Sequence, residues 1–213
     1  MTTKSARTVG RPIGDHEARK GELTRATWRV IARRGLHKTS LLDIAHELQC
    51  TTGTLRHYFR SKAELLMFAK DALFDQVRSR MRAAAERRSG VERLIDMLAE
   101  GLPLDEQRIF MWRIYLAFQA HTVGDARLMA KQHAANRTST EIFATHIRQL
   151  QTEGLIAPGV EPEAEAVAAQ CFLDGLALSA IMAVREFTPA VQMKFLKNYV
   201  HRTFDPIGRA RKL

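Results

Sequence analysis

The chain has 213 residues, 46% of them apolar and 26% charged, and a net charge of +10. That length supports a sizeable core in one domain or two small ones, and the composition excludes disordered, collagen-like and disulfide-framework classes. Two cysteines, Cys50 and Cys171, stand far apart and outside any C-x-x-C or Cys/His ligand set, so neither a disulfide framework nor a metal site is expected. A reducing cytoplasm is the compartment that fits this usage.

Charge is unevenly spread. Residues 1–62 hold 13 Lys and Arg against 5 Asp and Glu, whereas the remainder holds 20 against 18. A basic excess on one third of the chain attracts polyanions at long range and makes their binding salt-dependent. No apolar run of transmembrane length is expected, and the N-terminus is polar and basic, without the apolar stretch of a secretory signal. No membrane partner is expected.

Residues 1–14 are polar, basic and aperiodic, and read as a flexible arm whose Arg7 and Arg11 can reach along a nucleic-acid groove. Asp15–Arg34 reads as the first helix, with Leu23, Ala26, Thr27, Val30 and Ile31 as its stripe and Gly35 as its stop. From Thr39 to Leu66 the chain predicts two short helices, a tight turn and the start of a third. Ser40 with Asp43, and Ser61 with Glu64, have capping-box spacing, and Thr51 or Thr52 can cap the middle helix. Leu41, Ile44, Ala45 and Leu48 form one apolar face; Leu55 and Phe59 form the next.

Two short amphipathic helices joined by such a turn cross steeply over a small core, and the second projects outward: a helix-turn-helix. The outward helix carries Thr52, Gly53, Thr54, Arg56, His57 and Tyr58, whose hydroxyl, guanidinium, imidazole and phenol groups suit phosphates and base edges. Gly53 lets backbones approach closely.

Ile44 to Leu65 resembles the DNA-binding signature of the TetR family, I-A-x-x-x-G-V-S-x-G-T-L-Y-x-H-F-x-S-K-x-x-L, and matches at Ile44, Ala45, Gly53, Thr54, Leu55, Phe59, Ser61, Lys62 and Leu65. Two positions depart from it. Gln49 replaces the usual turn glycine, which predicts a different or strained turn, and Arg56 replaces a tyrosine, which exchanges a phenol for a base or phosphate contact by arginine. His57-Tyr58-Phe59 is similar to the BetI-type, choline-responsive branch. The resemblance implies phosphate contacts by Thr39 and Lys62, base contacts by Thr52, Thr54, Arg56 and His57, and a backbone contact by Tyr58 on a double-stranded DNA operator.

Beyond that region, helices are expected at Lys62 to about Arg87, Val91–Glu100, Asp105–Thr122, Asp125–Glu153, Glu163–Arg185 and Pro189–Phe204, with a basic tail over 206–213. The fold class is therefore all-α: a three-helix DNA-binding domain over 15–61 and a helical ligand-binding and dimerisation domain over 62–205. The helix beginning at Lys62 is expected to act as a lever between the two. Asp105–Thr122 is apolar almost all round, which predicts a central position.

Trp112, Tyr115, Gln119 and Thr122 share one face of that helix, and Gln132, Asn136 and Ser139 interrupt the apolar face of the next, which includes Phe143. Polar groups on inward stripes need partners, from each other or from a bound small molecule. Trp112–Phe118, the Asp174–Leu178 run and Glu186–Pro189 also resemble the BetI-type ligand-binding domain. That likeness implies a cationic effector held by aromatic rings, with Trp112, Tyr115 and Phe118 as candidates. Gln119 replaces an aromatic residue there, which argues against choline itself. Asp174, on a face with Cys171, Leu178 and Ile181, suits a cation or a paired role. Glu163–Arg185 is rich in Ala with Gly175 and Ser179, which permits close helix approach, and the last two helices resemble the family's dimerisation pair; a two-fold dimer also matches the reading of two half-sites.

None of the metalloprotease, Walker, dinucleotide or nucleophile-elbow motifs occurs, and His121, His133 and His146 lack carboxylates at ligand spacing. An enzyme is not expected, and no cofactor or metal is implied. A helical adaptor, or a nucleic-acid binder without an effector, is the other reading; the adaptor leaves the basic outward helix and arm unexplained.

Overall fold

The computed structural model describes residues 13–204, with side chains from residue 18 onward. Arg7, Arg11 and the 206–213 tail lie outside the described residues. Among those described there are nine α-helices and no strand. They are α1 (Ile13–Arg34), α2 (Leu41–Glu47), α3 (Thr52–Tyr58), α4 (Lys62–Ala85), α5 (Val91–Ala99), α6 (Glu106–Thr122), α7 (Ala126–Thr152), α8 (Pro162–Met182) and α9 (Pro189–Thr203). The chain divides into two units between Ala72 and Leu73, inside α4 rather than at its start.

In the first unit the expected α1 stripe is the core: Leu23, Ala26, Thr27, Val30 and Ile31 are all buried. Leu23, Ala26 and Val30 meet Ile44 and Ala45 from α2, Leu55 from α3, Phe59, and Leu65 from α4. Burying side chains of that size contributes about 1.5–3 kcal/mol each, which holds helices too short to be stable alone. Thr27 satisfies its buried hydroxyl by donating to the Leu23 carbonyl at 2.8 Å. The Trp28 indole N–H donates to the Ala69 carbonyl at 2.9 Å and pins α1 to the first turns of α4. Gly35, at φ +77°, closes α1 with its N–H on the Ile31 carbonyl.

The second unit is built on Leu94, Ile95, Leu98, Ile147, Leu150, Ala169, Leu196 and Val200, from α5, α7, α8 and α9, with Phe204 just after α9. α7 packs along α8, and α5 along α9. Two expectations change here. α6 is not a wholly buried central helix: only Met111, Ile114, Phe118 and Thr122 are buried, while Ile109, Phe110, Trp112, Tyr115 and Leu116 are half-buried. Part of its other apolar face lines a cavity instead of core. α8 stops at Met182, and the Glu186 and Phe187 amides turn back onto the Ala183 carbonyl, so Val184 and Arg185 lie outside the helix.

α8 is also long and apolar enough to cross a membrane by length and composition, with mean hydropathy 1.4, contrary to the expectation from the sequence. The structure uses that apolarity differently. Ala166, Ala169, Leu173, Leu176, Ala177 and Ala180 pack inward, and Asp174 and Gln170 interrupt the apolar surface of the helix at a cavity. Another face, described below, is exposed.

Candidate functional site

Ser40 caps α2 as its spacing predicts: the Asp43 amide donates to Ser40 Oγ at 3.1 Å, and the Ser40 amide donates to Asp43 Oδ2 at 3.0 Å. Such a cap is worth about 1 kcal/mol. Hydrogen bonds from the Ser40 side chain and backbone, with the Arg34 guanidinium, hold the Asp43 carboxyl below its ordinary range. α2 ends in a Schellman turn. The Cys50 amide donates to the Ala45 carbonyl at 2.9 Å, and the Gln49 amide donates to the His46 carbonyl at 3.1 Å. That turn forces the residue after the cap into the left-handed region, and Gln49 sits there at φ +53°. The turn expected to differ therefore keeps glycine geometry without glycine. The end of α7 closes in the same way around Gly154, at φ +68°.

Thr51 caps α3 by accepting from the Thr54 amide at 3.2 Å, and its Oγ1 lies 3.2 Å from Thr54 Oγ1. Ser61 accepts from the Glu64 amide at 3.1 Å, while the Glu64 carboxylate reaches one residue further back, to the Arg60 amide at 2.7 Å. These caps fix both ends of the turn–helix–turn that displays α3.

Arg56, His57 and Gly53 are exposed; Thr52, Thr54, Tyr58 and Lys62 are half-buried. The His57 and Tyr58 rings meet edge to face at 5.2 Å. A Cβ on Gly53 would meet only Thr51 Oγ1, at 3.4 Å, so nothing in the fold requires glycine there. Thr39 differs from the others. It is buried, and its hydroxyl donates to the Gly35 carbonyl at 2.8 Å, closing the loop between α1 and α2.

Electrostatics single out the same surface. The α2 carboxylates are engaged by α1: Arg34 pairs with Asp43, and Arg29 and Arg33 both pair with Glu47, the former at 2.6 Å. α3 carries no carboxylate at all. Arg56 and Lys62 have no ion-pair partner among the described residues. Cationic side chains are thus presented without internal neutralisation beside hydroxyls and a phenol, an arrangement that fits a polyanion.

The second unit holds a cavity of about 270 Å³, walled by α4, the end of α5, α6, α7 and α8. Of the side chains singled out on these inward faces, Trp112, Tyr115, Asn136, Ser139, Phe143 and Asp174 line it, whereas Phe118, Gln119, Thr122 and Gln132 do not. Phe118 lies in the core. Gln119 donates to the Tyr115 hydroxyl at 2.9 Å, and Gln132 donates to Asn136 Oδ1 at 2.7 Å, so their amide nitrogens are used within their own helices while both amide oxygens are buried without a hydrogen bond. The Trp112 and Tyr115 rings meet edge to face at 5.0 Å, and Phe74 from α4 meets Tyr115 at 5.8 Å. Burial, and then the nearby Asp174, push the Tyr115 phenol up; burial also pushes the Asp174 carboxyl up, against a hydrogen bond with Gln170. Sequence reasoning missed Phe74, Arg80, Glu100 and Arg108 as wall residues. The signal for Glu100 was a carboxylate at the buried end of a strongly amphipathic helix, next to Gly101.

A capped, basic, carboxylate-free helix displayed by a three-helix unit defines the helix-turn-helix class of DNA-binding proteins. Within that class, the chain belongs to the TetR family: residues 23–67 match the profile described as bacterial regulatory proteins, tetR family, and residues 90–205 match that of the BetI-type transcriptional repressor, C-terminal. It is a DNA-binding transcriptional regulator. It is similar to the HTH-type transcriptional regulator PksA of Bacillus subtilis, 31% identical over 79% of this chain and 81% of that one. It is also similar to the regulator BetI of Vibrio campbellii, 30% identical over 70% and 77%. A regulator from Saccharomonospora viridis, solved in complex with choline, shares the fold with a TM-score of 0.78 at 21% identity, covering 88% of this chain and 98% of that one.

Proposed function

We propose that the protein is a homodimeric, cytoplasmic repressor that holds a palindromic operator through two copies of α3 and is released by a small molecule bound in the cavity. The observation that carries the DNA contacts is the α3 surface, exposed, cationic and without a carboxylate. Arg56 and His57 reach base edges, with Thr52 and Thr54 beside them, and Gly53 admits close approach of the backbone. Lys62 and Tyr58 hold phosphates. Thr39 acts from beneath, by holding the loop through its bond to Gly35. Arg7 and Arg11 of the N-terminal arm add contacts along the groove.

Dimerisation through α8 and α9 is supported by an exposed seam. Ala164, Ala168, Cys171, Gly175, Leu178 and Met182 recur on α8 in alternating steps of four and three residues, and all are exposed. Leu178 is 45% and Met182 78% exposed, and Phe195 on α9 is 48% exposed. That spacing is the interface pattern of paired helices, and its small residues allow close packing. The effector role of the cavity is supported by its walls, apolar with a few convergent polar groups, and by the choline held in the Saccharomonospora viridis neighbour. α4 supplies Lys62 at one end and Leu73, Phe74 and Val77 to the cavity wall, so it is the proposed route of the signal. The effector must favour the non-binding state by its differential affinity.

The test is binding to DNA from around the protein's own gene, in excess nonspecific DNA, with Arg56→Ala and Lys62→Ala compared with the parent. Each variant is expected to lose about 1–3 kcal/mol of binding. Unchanged specific binding by both would refute the contact assignment.

A further inference from the structure

The cavity has two unlike ends. Arg108, Met111, Trp112 and Tyr115 line it along one stripe of α6, so its Arg108 and Tyr115 ends are separated by about 10 Å along that helix. At the Arg108 end lies Glu100, only 7% exposed. Arg80 Nε and Arg108 each approach Glu100 Oε2 at 3.3 Å, and Arg87 approaches the other oxygen at 3.6 Å. Arg108 also pairs with the exposed Asp105 at 3.0 Å and donates to the Ala99 carbonyl. Three guanidiniums therefore meet two carboxylates. Arg80 is poorly satisfied among them: its Nε makes no hydrogen bond, and one terminal nitrogen donates to the Met111 sulfur, a weak acceptor.

At the Tyr115 end the balance reverses. Phe74, Trp112 and Tyr115 pack ring edge to ring face. Asp174 lines the same end, hydrogen-bonded with Gln170 and without an ion-pair partner among the described residues. A half-buried carboxylate beside aromatic faces gains most from a cation. The lining also includes the apolar side chains Met81, Met97, Leu98, Met111 and Leu173, with Asn136, Ser139 and His146 from α7.

We propose that the cavity takes a two-ended ligand, a carboxylate received by Arg80 and Arg108 and an ammonium received by Asp174 and the aromatic rings, joined by an apolar chain of about 10 Å. This rests on the reading of the cavity as the effector site. A compact one-ended cation such as choline would leave the arginine end unanswered.

Full-length protein is titrated calorimetrically with three probes, 8-aminooctanoate, octanoate and octylamine, and release of the operator complex is measured with each. 8-Aminooctanoate is expected to bind at least about tenfold more tightly than either one-ended probe. Asp174→Asn should erase its advantage over octanoate, and Arg80→Gln its advantage over octylamine, with helicity unchanged in both. Octanoate or octylamine binding as tightly as the two-ended probe overturns the proposal, as does binding by none of the three. Release of the operator by a one-ended probe bound equally tightly would keep the effector reading and remove the two-ended chemistry. Tight binding of 8-aminooctanoate with the expected variant pattern, but an intact operator complex, would support the chemistry and refute the effector reading.

Discussion

Replacing Gly53 by alanine separates what α3 needs to fold from what it needs to bind. Gly53 follows the capped first residue of α3, its surface is exposed, and an added Cβ would meet only Thr51 Oγ1 at 3.4 Å. Alanine in a helix interior is favoured over glycine by about 0.8–1 kcal/mol. In the first turn of a seven-residue helix we expect about half of that, or roughly 0.5 kcal/mol. For a chain of this size that raises Tm by about 1–2 °C. If α3 meets DNA as proposed, the same methyl would stand between its backbone and the duplex. Operator affinity is expected to fall at least tenfold, which is about 1.4 kcal/mol. Calorimetric melting and a gel-shift titration on one preparation read both effects. A higher Tm with unchanged affinity would refute close approach at Gly53. A lower Tm would refute the local geometry on which the reasoning stands.

Three further outcomes follow from the structure. Gln49→Gly should stabilise the protein by about 0.5–1 kcal/mol, because Gln49 holds a left-handed conformation that penalises a side chain by roughly 1–2 kcal/mol, offset in part by the freedom of glycine in the unfolded chain; chemical denaturation measures it, and a loss of stability would contradict the strain. The raised pKa of Asp174 means that its contribution to stability is complete below the ordinary carboxyl value near 3.9 and is lost as pH rises through the higher folded value, so Asp174→Asn should flatten that decline and melt higher at neutral pH without ligand; superimposable curves of Tm against pH would oppose it. Leu178→Glu places a charge on the exposed α8 seam and should give a folded monomer by light scattering with circular dichroism, whereas a persistent dimer would move the interface elsewhere.

What the sequence made legible was local. The Ser40–Asp43 capping box, the α1 stripe and the turn at Gln49 involve residues within one or two helical turns, where spacing alone decides who can meet whom, whereas the Ser61–Glu64 pair closes only half of its expected box. The cavity was only half legible, because periodicity tells which residues share a face but not what stands opposite. Trp112 and Tyr115 were placed with Gln119, yet the Gln119 amide nitrogen donates to the Tyr115 hydroxyl, four residues away, and the residue does not reach the cavity lining. Phe118 was grouped with them by its aromatic character, although it belongs to the buried side with Ile114 and Met111. Arg80 comes from α4, Glu100 from the turn after α5 and Arg108 from α6, and only the fold brings them together. Thr39 looked like a phosphate ligand from its place in the motif, whereas its hydroxyl bond to Gly35 shows what it does for the loop.

The most direct test of the account is selection by the full-length wild-type protein from random double-stranded DNA in moderate salt. The account predicts enrichment of an inverted repeat whose half-sites lie a whole number of helical turns apart, about 10–10.5 base pairs per turn, with affinity that falls steeply as salt rises. Recovery of no preferred sequence by protein shown to be folded and dimeric would contradict it.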